Sequence, residues 1–347
     1  MRPVTLHDLA KHCQVSTATV SAVVNGANWV SEATRRRVQR AIEELGYHPN
    51  QLARGLKRQE GHAVGVVVSD LTNPFFTSIV RSLSHSLRAA GRTLSLCDSD
   101  HRHDLGEANL RMLLEGQIVG LVIIGDSVPE KALRAFVKRR ANVPVIVIER
   151  DYQIQQVSCL LVDSEQGGYA ATCHLAERGR RRIAMIAGPT TGAGSATYGR
   201  ATRLEGYRRA LKDLRLPFDE QLVVEGNFRY ESGGSAMHTL LELEDPPDAV
   251  FAANDMMAFG AMSVVRDAGL SVPDDVALIG FDNVPMADLT TPGLTTMAMP
   301  MVELGDAAAR LLDAQIRLGA DHIPLRDTFS ATLVARASTL GSEISVG

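Results

Sequence analysis

The sequence predicts a small all-α unit at the N-terminus followed by a larger α/β body built on doubly wound parallel sheets. Three observations carry this. Residues 5–46 hold three short helical segments, each with its own start and stop signals. From Gly61 onward, Val- and Ile-rich runs of strand length alternate with helical stretches. At 347 residues the chain is too long for one ordinary core and suits two or three domains.

The first unit reads in order. Thr5 caps the first helix, with Asp8 in capping-box position ahead of Leu9 and Ala10. Cys13-Gln14-Val15 is the turn. Ser16 caps a second helix over residues 17–24, which Asn25-Gly26 ends. Ser31 caps the third, where Val38, Ala41, Ile42 and Leu45 fall at helical spacing. Gly46 closes it and Pro49 follows.

In the body, strands are expected at 63–68, 93–97, 120–124, 143–148, 159–162, 183–187, 222–225, 249–252 and 276–281. Helices are expected at 76–90, 106–115, 167–178, 203–214, 231–242 and 256–268. Continuous Val/Ile runs mark parallel strands buried on both faces. The alternating βαβα order predicts doubly wound sheets. Nine strands over about 230 residues suit two sheets better than one.

Composition excludes several classes. With 45% hydrophobic and 22% charged residues, the chain reads as globular and not disordered. No apolar run reaches about 18 residues, and the start has no apolar leader, so neither a membrane helix nor a signal peptide is expected. Cys13, Cys97, Cys159 and Cys173 fit no disulfide framework or metal spacing, which suits a reduced, cytoplasmic protein. The net charge of −4 divides into +4 over residues 1–60 and −8 over the rest. A basic unit on an acidic body suits a polyanion partner at one end only. No G-x-S-x-G or H-E-x-x-H pattern occurs, so no enzyme and no cofactor are expected. His101-Arg102-His103-Asp104 reads as a polar loop before a helix, with no metal expected.

Residues 6–25 have helix-turn-helix spacing. Ala10 is small where the two helices cross, and Val15 and Val20 supply the contact between them. A second helix held this way is free to enter a major groove with its N-terminal residues at the base edges. A tight helical hairpin shows the same pattern, so spacing alone leaves both readings open.

Longer stretches carry a resemblance. Pro3-Val4-Thr5-Leu6, Val15-Ser16-Thr17-Ala18-Thr19-Val20-Ser21, Val23-Val24-Asn25, Val30-Ser31-Glu32-Ala33-Thr34-Arg35 and Leu45-Gly46-Tyr47-His48-Pro49-Asn50 resemble the headpiece of the lactose-repressor (LacI/GalR) family. The likeness continues to about Ser338. It implies a DNA-binding transcription regulator, expected to repress a carbohydrate or related catabolic operon under control of a sugar, sugar acid or sugar phosphate. A corepressed regulator answering to a purine or other metabolite is the alternative. The implied layout is a helix-turn-helix headpiece (1–48), a hinge (49–60) and a periplasmic-binding-protein-like core of two Rossmann-like lobes (61–338). The N-lobe is expected over about 61–161 plus 291–323, the C-lobe over 162–290 plus 324–338, with a short tail at 339–347. A stand-alone transport binding protein would share the core but carry a signal peptide and no headpiece.

The resemblance places Thr17, Ala18 and Ala22 at the bases, and Thr5, Ser16, Thr19, Ser21, Asn25, Ser31 and Thr34 mostly at phosphates. Phosphate contacts position a protein and base contacts specify sequence. Ala22 departs from an arginine frequent in the family, which would take a guanine bidentately. Alanine offers only apolar contact, so a different operator preference is expected. Gln14 stands where glycine is frequent, and a positive φ there costs on the order of 1 kcal/mol. The hinge carries Asn50, Ala53, Leu56 and Lys57 toward DNA, with Leu56 implied as a wedge in the minor groove. A helix this short, weakened by Gly55, is marginal alone and orders when two copies pair. Two half-sites imply a homodimer on a near-palindromic operator. A tail of this length is too short to build a tetramer.

Ligands of doubly wound sheets sit at the C-terminal strand ends. The candidates there are Asp70, Asn73, Phe75 and Phe76 after the first strand, then Glu149 and Arg150, Phe228, Asn254 and Asp255, and Asp282. Arg203 matches the family's pocket arginine. Planar polar groups with an aromatic face suit a polyhydroxylated ligand. Arg150, Arg200 and Arg203 lean toward an acidic one. The Gly-rich run at 188–197 lacks a complete phosphate-binding motif and reads as a rim to the pocket.

Overall fold

The computed structural model of the chain describes residues 4–24, 27, 29–47, 62–189 and 200–341, with backbone alone at 200–202. Asn25, the hinge residues Asn50, Ala53, Leu56 and Lys57, the loop 190–199 and the Arg200 side chain lie outside the described residues. The chain divides into two compact units, residues 1–61 and 62–347.

The first unit holds α1 (Leu6–His12), α2 (Thr17–Val24) and α3 (Glu32–Leu45). Its local signals act as the side chains dictate. Thr5 and Asp8 close a reciprocal capping box, with the Thr5 amide 2.8 Å from Asp8 Oδ2. Ser16 Oγ accepts from the Thr19 amide at 3.0 Å. Ser31 Oγ accepts from the Thr34 amide at 3.4 Å. Gln14 takes φ +50° in the turn, and α3 ends at Gly46 with φ +60°, a conformation that glycine alone adopts without strain. Leu9, Ala10, Val20, Val23, Val38, Ala41 and Tyr47 close a single core.

The second unit runs β1 (Ala63–Val68), α4 (Pro74–Ala89), β2 (Thr93–Asp98), α5 (His103–Glu115), β3 (Ile118–Ile124), α6 (Glu130–Arg139), β4 (Val145–Ile148) and β5 (Val157–Val162). It continues with α7 (Ser164–Glu177), β6 (Ile183–Ala187), α8 (Arg200–Asp213), β7 (Val223–Glu225), α9 (Tyr230–Leu241), β8 (Ala249–Ala252), α10 (Asp255–Asp267), β9 (Ala277–Asp282) and β10 (Thr295–Ala298). It closes with α11 (Met301–Leu318), β11 (Arg326–Phe329), β12 (Thr332–Val334) and α12 (Ala337–Leu340). Two six-stranded sheets result, ordered β11-β5-β4-β3-β1-β2 and β12-β10-β9-β8-β6-β7. Pairing is parallel throughout except β12, which runs antiparallel to β10.

Strand side chains alternate between faces. Val64, Val66 and Val68 therefore pack with Leu83 of α4 and Leu304 and Leu312 of α11. Val67 joins Leu121, Ile123, Val145 and Val147 on the opposite face. Burial on both sides is why the strand sequences are continuously apolar. Among the described residues, no helix is long and apolar enough to cross a membrane.

Three strands (β10, β11, β12) and three helices (α6, α11, α12) go beyond those expected. The lobe limits are corrected accordingly. β10 pairs with β9, so 295–298 belongs to the C-lobe and not to the N-lobe. β11 pairs with β5, so 326–329 belongs to the N-lobe. β11 is an edge strand of sequence Arg-Asp-Thr-Phe, largely exposed, with no apolar run to announce it. The chain thus crosses between lobes after β5, after β10 and after β11. The expected tail also begins too early. Ser338 Oγ donates to the Leu278 carbonyl at 2.6 Å, and Thr339 Oγ1 meets His174 Nε2 at 2.8 Å.

Candidate DNA-reading helix and interlobe site

On α2, Thr17 and Ala18 are exposed, and Thr19 and Ser21 are half-buried on its flanks. Ala22, one turn beyond Ala18 on the same side of α2, is 8% exposed and packs with the headpiece core. Several hydroxyls expected at phosphates already bond locally. Thr5 Oγ1 donates to Asp8 Oδ2 at 2.6 Å, Ser16 pairs with Thr19 at 2.8 Å, and Ser31 pairs with Thr34 at 2.9 Å.

In the core unit, strand C-terminal ends from both sheets meet. The ion pair between Glu149, after β4, and Arg203, on α8, spans the two lobes at 3.9 Å. Asp100, after β2, pairs with Arg229, which leads into α9. Arg203 is 6% exposed. Its Nη1 donates to the Ala253 carbonyl at 2.7 Å, and its guanidinium carbon stands 3.9 Å from the centre of the Phe281 ring. Gly168 makes this possible, since a Cβ there would lie 2.4 Å from the Arg203 carbonyl oxygen.

Two buried carboxyls, Glu149 and Asp282, feel that guanidinium, and a third, Asp255, lies buried at the neighbouring strand end. Burial pushes Glu149 up to about 7, against the pull of Arg203 and a hydrogen bond from the Val162 amide at 3.0 Å. Burial raises Asp255 to about 7, opposed by bonds from Thr296 Oγ1 at 2.6 Å and the Val284 amide at 2.8 Å. Asp282 lies well above the usual range, first through burial; Arg203 lowers it, while Asp255 and Glu149 raise it. Arg203 opposes this rise at Glu149 and Asp282, and Arg336 opposes it at Asp255.

The predicted residues divide. Asp70, Glu149, Arg150, Arg203, Phe228 and Asp282 come together at the strand ends. Asp255 is a correction: it is fully buried with both oxygens bonded inside the C-lobe, so it offers a ligand nothing. Asn254 Oδ1 caps α10 through the Met257 amide at 2.9 Å, and its Nδ2 donates to the Phe228 carbonyl at 2.9 Å. It supports the site by holding Phe228 at φ +68°. Asn73 caps α4 through the Phe75 amide at 3.0 Å. Phe75 and Phe76 pack edge to face at 5.1 Å inside the core. Arg150 donates to the Asp126 carbonyl at 2.7 Å and lies over the Tyr152 ring.

Sequence reasoning missed Asp100, His101 and Asp126. A signal exists in the backbone. Among the described residues, nine non-glycine positions have positive φ, and six of them (Asp100, His101, Glu149, Phe228, Asp282, Asn283) sit at strand C-terminal ends. Strained backbone of this kind gathers at functional sites. Side-chain chemistry alone does not disclose it.

Comparison with known proteins agrees with this layout. Residues 5–50 match the bacterial regulatory proteins of the lacI family, and residues 172–339 match the periplasmic binding protein-like domain. The chain is 37% identical to the HTH-type transcriptional repressor PurR of Photorhabdus laumondii, over 89% of each chain. A solved complex of the transcriptional regulator CelR with cellobiose is 35% identical, with a TM-score of 0.71 over 97% of this chain and 100% of that one. The Lac repressor dimer bound to operator and the anti-inducer ONPF is 27% identical, with a TM-score of 0.83 over 97% of this chain and 99% of that one. The headpiece, the paired parallel-sheet lobes and these full-length likenesses together show that the chain belongs to the LacI family of bacterial transcription regulators.

Proposed function

We propose that this chain represses transcription as a cytoplasmic homodimer on a near-palindromic operator, under control of a neutral polyhydroxylated molecule held between its lobes. Thr17 and Ala18, exposed at the start of α2, support the DNA half. The observation that carries the effector half is the meeting of strand ends from both lobes around the buried Glu149–Arg203 pair. Of Arg150, Arg200 and Arg203, the basis for expecting an anion, Arg150 and Arg203 each donate to a backbone carbonyl, while Arg203 Nε is buried without a hydrogen-bond partner among the described residues. Hydroxyls suit the site, because ionised carboxylates accept from them and protonated carboxyls donate. An aromatic base is the second reading, favoured by the Phe228 ring lying directly over Gly188.

Lobe arrangement and hinge pairing form one coupled equilibrium, and an effector shifts it by binding one arrangement more tightly. Coupling of about 1–3 kcal/mol is typical. A thermal-shift screen of sugars, sugar acids, sugar phosphates and nucleosides tests the reading, since a ligand of the folded state raises stability. Stabilisation by anions alone would overturn it. Trp29, the only tryptophan, is 70% exposed. Its fluorescence is expected to change on operator binding, and titration with and without effector gives the sign of control.

The hinge reading has its own test. Leu56→Ala is expected to weaken operator binding by on the order of 1–3 kcal/mol while sparing random-sequence DNA, because only the specific complex unstacks a base step. Equal losses on both DNAs in a filter-binding titration would remove the wedge assignment.

A further inference from the structure

The chain crosses between the lobes at one edge of the sheets. β11 and β5 end the order of the first sheet, β12 and β10 end that of the second, and all three crossings leave from these strands. The opposite ends are β2 and β7. Asp100 follows β2 and Arg229 follows β7, and their side chains form an ion pair across the gap. β2 stands five strand intervals from β11, about 24 Å at the usual spacing of about 4.8 Å. The Glu149–Arg203 pair is placed differently. Glu149 follows β4, two intervals from β11, and both of its side chains are buried. When two lobes pivot about their crossings, contacts near the crossings change least and contacts at the far edge change most. A pivot of about 10° moves a point about 24 Å away by about 4 Å, enough to part an ion pair.

Each partner is held from behind. Ser99 is buried, and its amide and hydroxyl donate to the Val68 carbonyl at 3.1 and 2.5 Å. Asp100 then takes φ +48°, with its amide 3.3 Å from Asp98 Oδ1. On the other lobe Phe228 takes φ +68°. The Arg229 amide donates to Asn227 Oδ1 at 3.1 Å, and its carbonyl accepts from Ser232 Oγ at 2.8 Å. Left-handed backbone therefore stands at Asp100 on one side and immediately before Arg229 on the other. Such backbone persists where the surroundings over-determine it. The side chains themselves are open to solvent, 43% exposed at Arg229 and 54% at Asp100. Water and salt reach the pair, so it breaks and re-forms readily.

We propose that Asp100 and Arg229 form a latch across the mouth of the interlobe cleft and set how readily the lobes part. The latch acts at the edge where opening moves the lobes furthest, and the buried Glu149–Arg203 pair lies nearer the pivot. By keeping the closed arrangement populated, the latch reduces the share of binding energy that closing consumes. It operates whichever molecule the cleft takes, so it stands or falls apart from the ligand class proposed above.

The test is pulsed electron-spin distance measurement on the full-length, ligand-free protein. Spin labels go on Glu107→Cys of α5 and His238→Cys of α9, the helices beside β2 and β7, in a Cys173→Ser background that removes the half-buried native thiol. Labelled chains are diluted into unlabelled ones, so that one labelled copy is read at a time. In this background Arg229→Gln and Asp100→Asn are each expected to raise the ratio of long to short separations about two- to fivefold, the range open to an exposed ion pair. Asparagine tolerates the left-handed backbone at position 100. Arg229→Lys keeps the charge and should stay near the unsubstituted ratio. The double variant should open no further than either single, because the same contact is removed. Unchanged separations in both Arg229→Gln and Asp100→Asn overturn the latch. So does an Arg229→Lys chain as open as Arg229→Gln, or a double variant in which the two effects multiply. If one single variant fails to fold, the other carries the test with Arg229→Lys as its control.

Discussion

An Arg203→Met chain is expected to lose about 3–5 kcal/mol of stability at pH 8 and clearly less at pH 5.5. Arg203 is buried, bonds the Ala253 carbonyl, and is the cation that draws Glu149 and Asp282 back toward ionisation. Methionine keeps an apolar contact with Phe281 but leaves two buried carboxyls without a counter-charge. Their folded-state pKa values then climb further above the unfolded ones. A raised carboxyl favours the folded state fully at low pH and loses that contribution as pH rises through the folded value. The loss in the variant is therefore larger in alkaline solution. At pH 5.5 a group titrating near 7 already holds its proton, so less depends on the arginine. Thermal denaturation at the two pH values is the measurement, and an equal loss at both would refute the counter-charge role.

Glu149→Gln is expected to do the reverse. Burial moves this carboxyl from 4.5 to about 7. Wild type then loses stability between roughly pH 4.5 and 8, by about 3 kcal/mol from this group alone. Glutamine is neutral throughout and keeps an oxygen for the Val162 amide. The variant should match wild type near pH 4.5 and exceed it at pH 8 by up to that amount. Asp255 and Asp282 are raised by the same cause, so a shallower slope persists. Parallel stability profiles for the two proteins from pH 4.5 to 8 would show that Glu149 ionises without penalty.

How far the site was legible depended on what each residue needed. Asp70, Glu149 and Asp282 follow apolar runs directly, and a polar residue at the end of a buried strand is visible in sequence. Asp255 looks the same but is turned inward by Thr296 and the Val284 amide, from elements 29–41 residues away. Ala22 shares a face of α2 with exposed Ala18, and only the folded headpiece reveals that it is largely covered. His101 looked like part of a polar loop because nothing in its neighbours announces two left-handed residues in succession.

The same division runs through the fold. The capped helices of the headpiece and the Val/Ile strands of both sheets were determined by the sequence alone, since capping acts within four residues and double burial leaves a continuous apolar run. Strands β10, β11 and β12 and the three crossings between lobes were decided only by the tertiary structure. β11 and β12 are exposed edge strands without such a run, and β10 is a short Thr-Thr-Met-Ala segment buried between β9 and β12. The electrostatics around Arg203 belongs with them. Arginines are countable along the sequence, whereas the approach of Glu149 and Asp282 to Arg203 is set by folding. Electrostatics at a buried site depends on distances between distant residues, which no local pattern records.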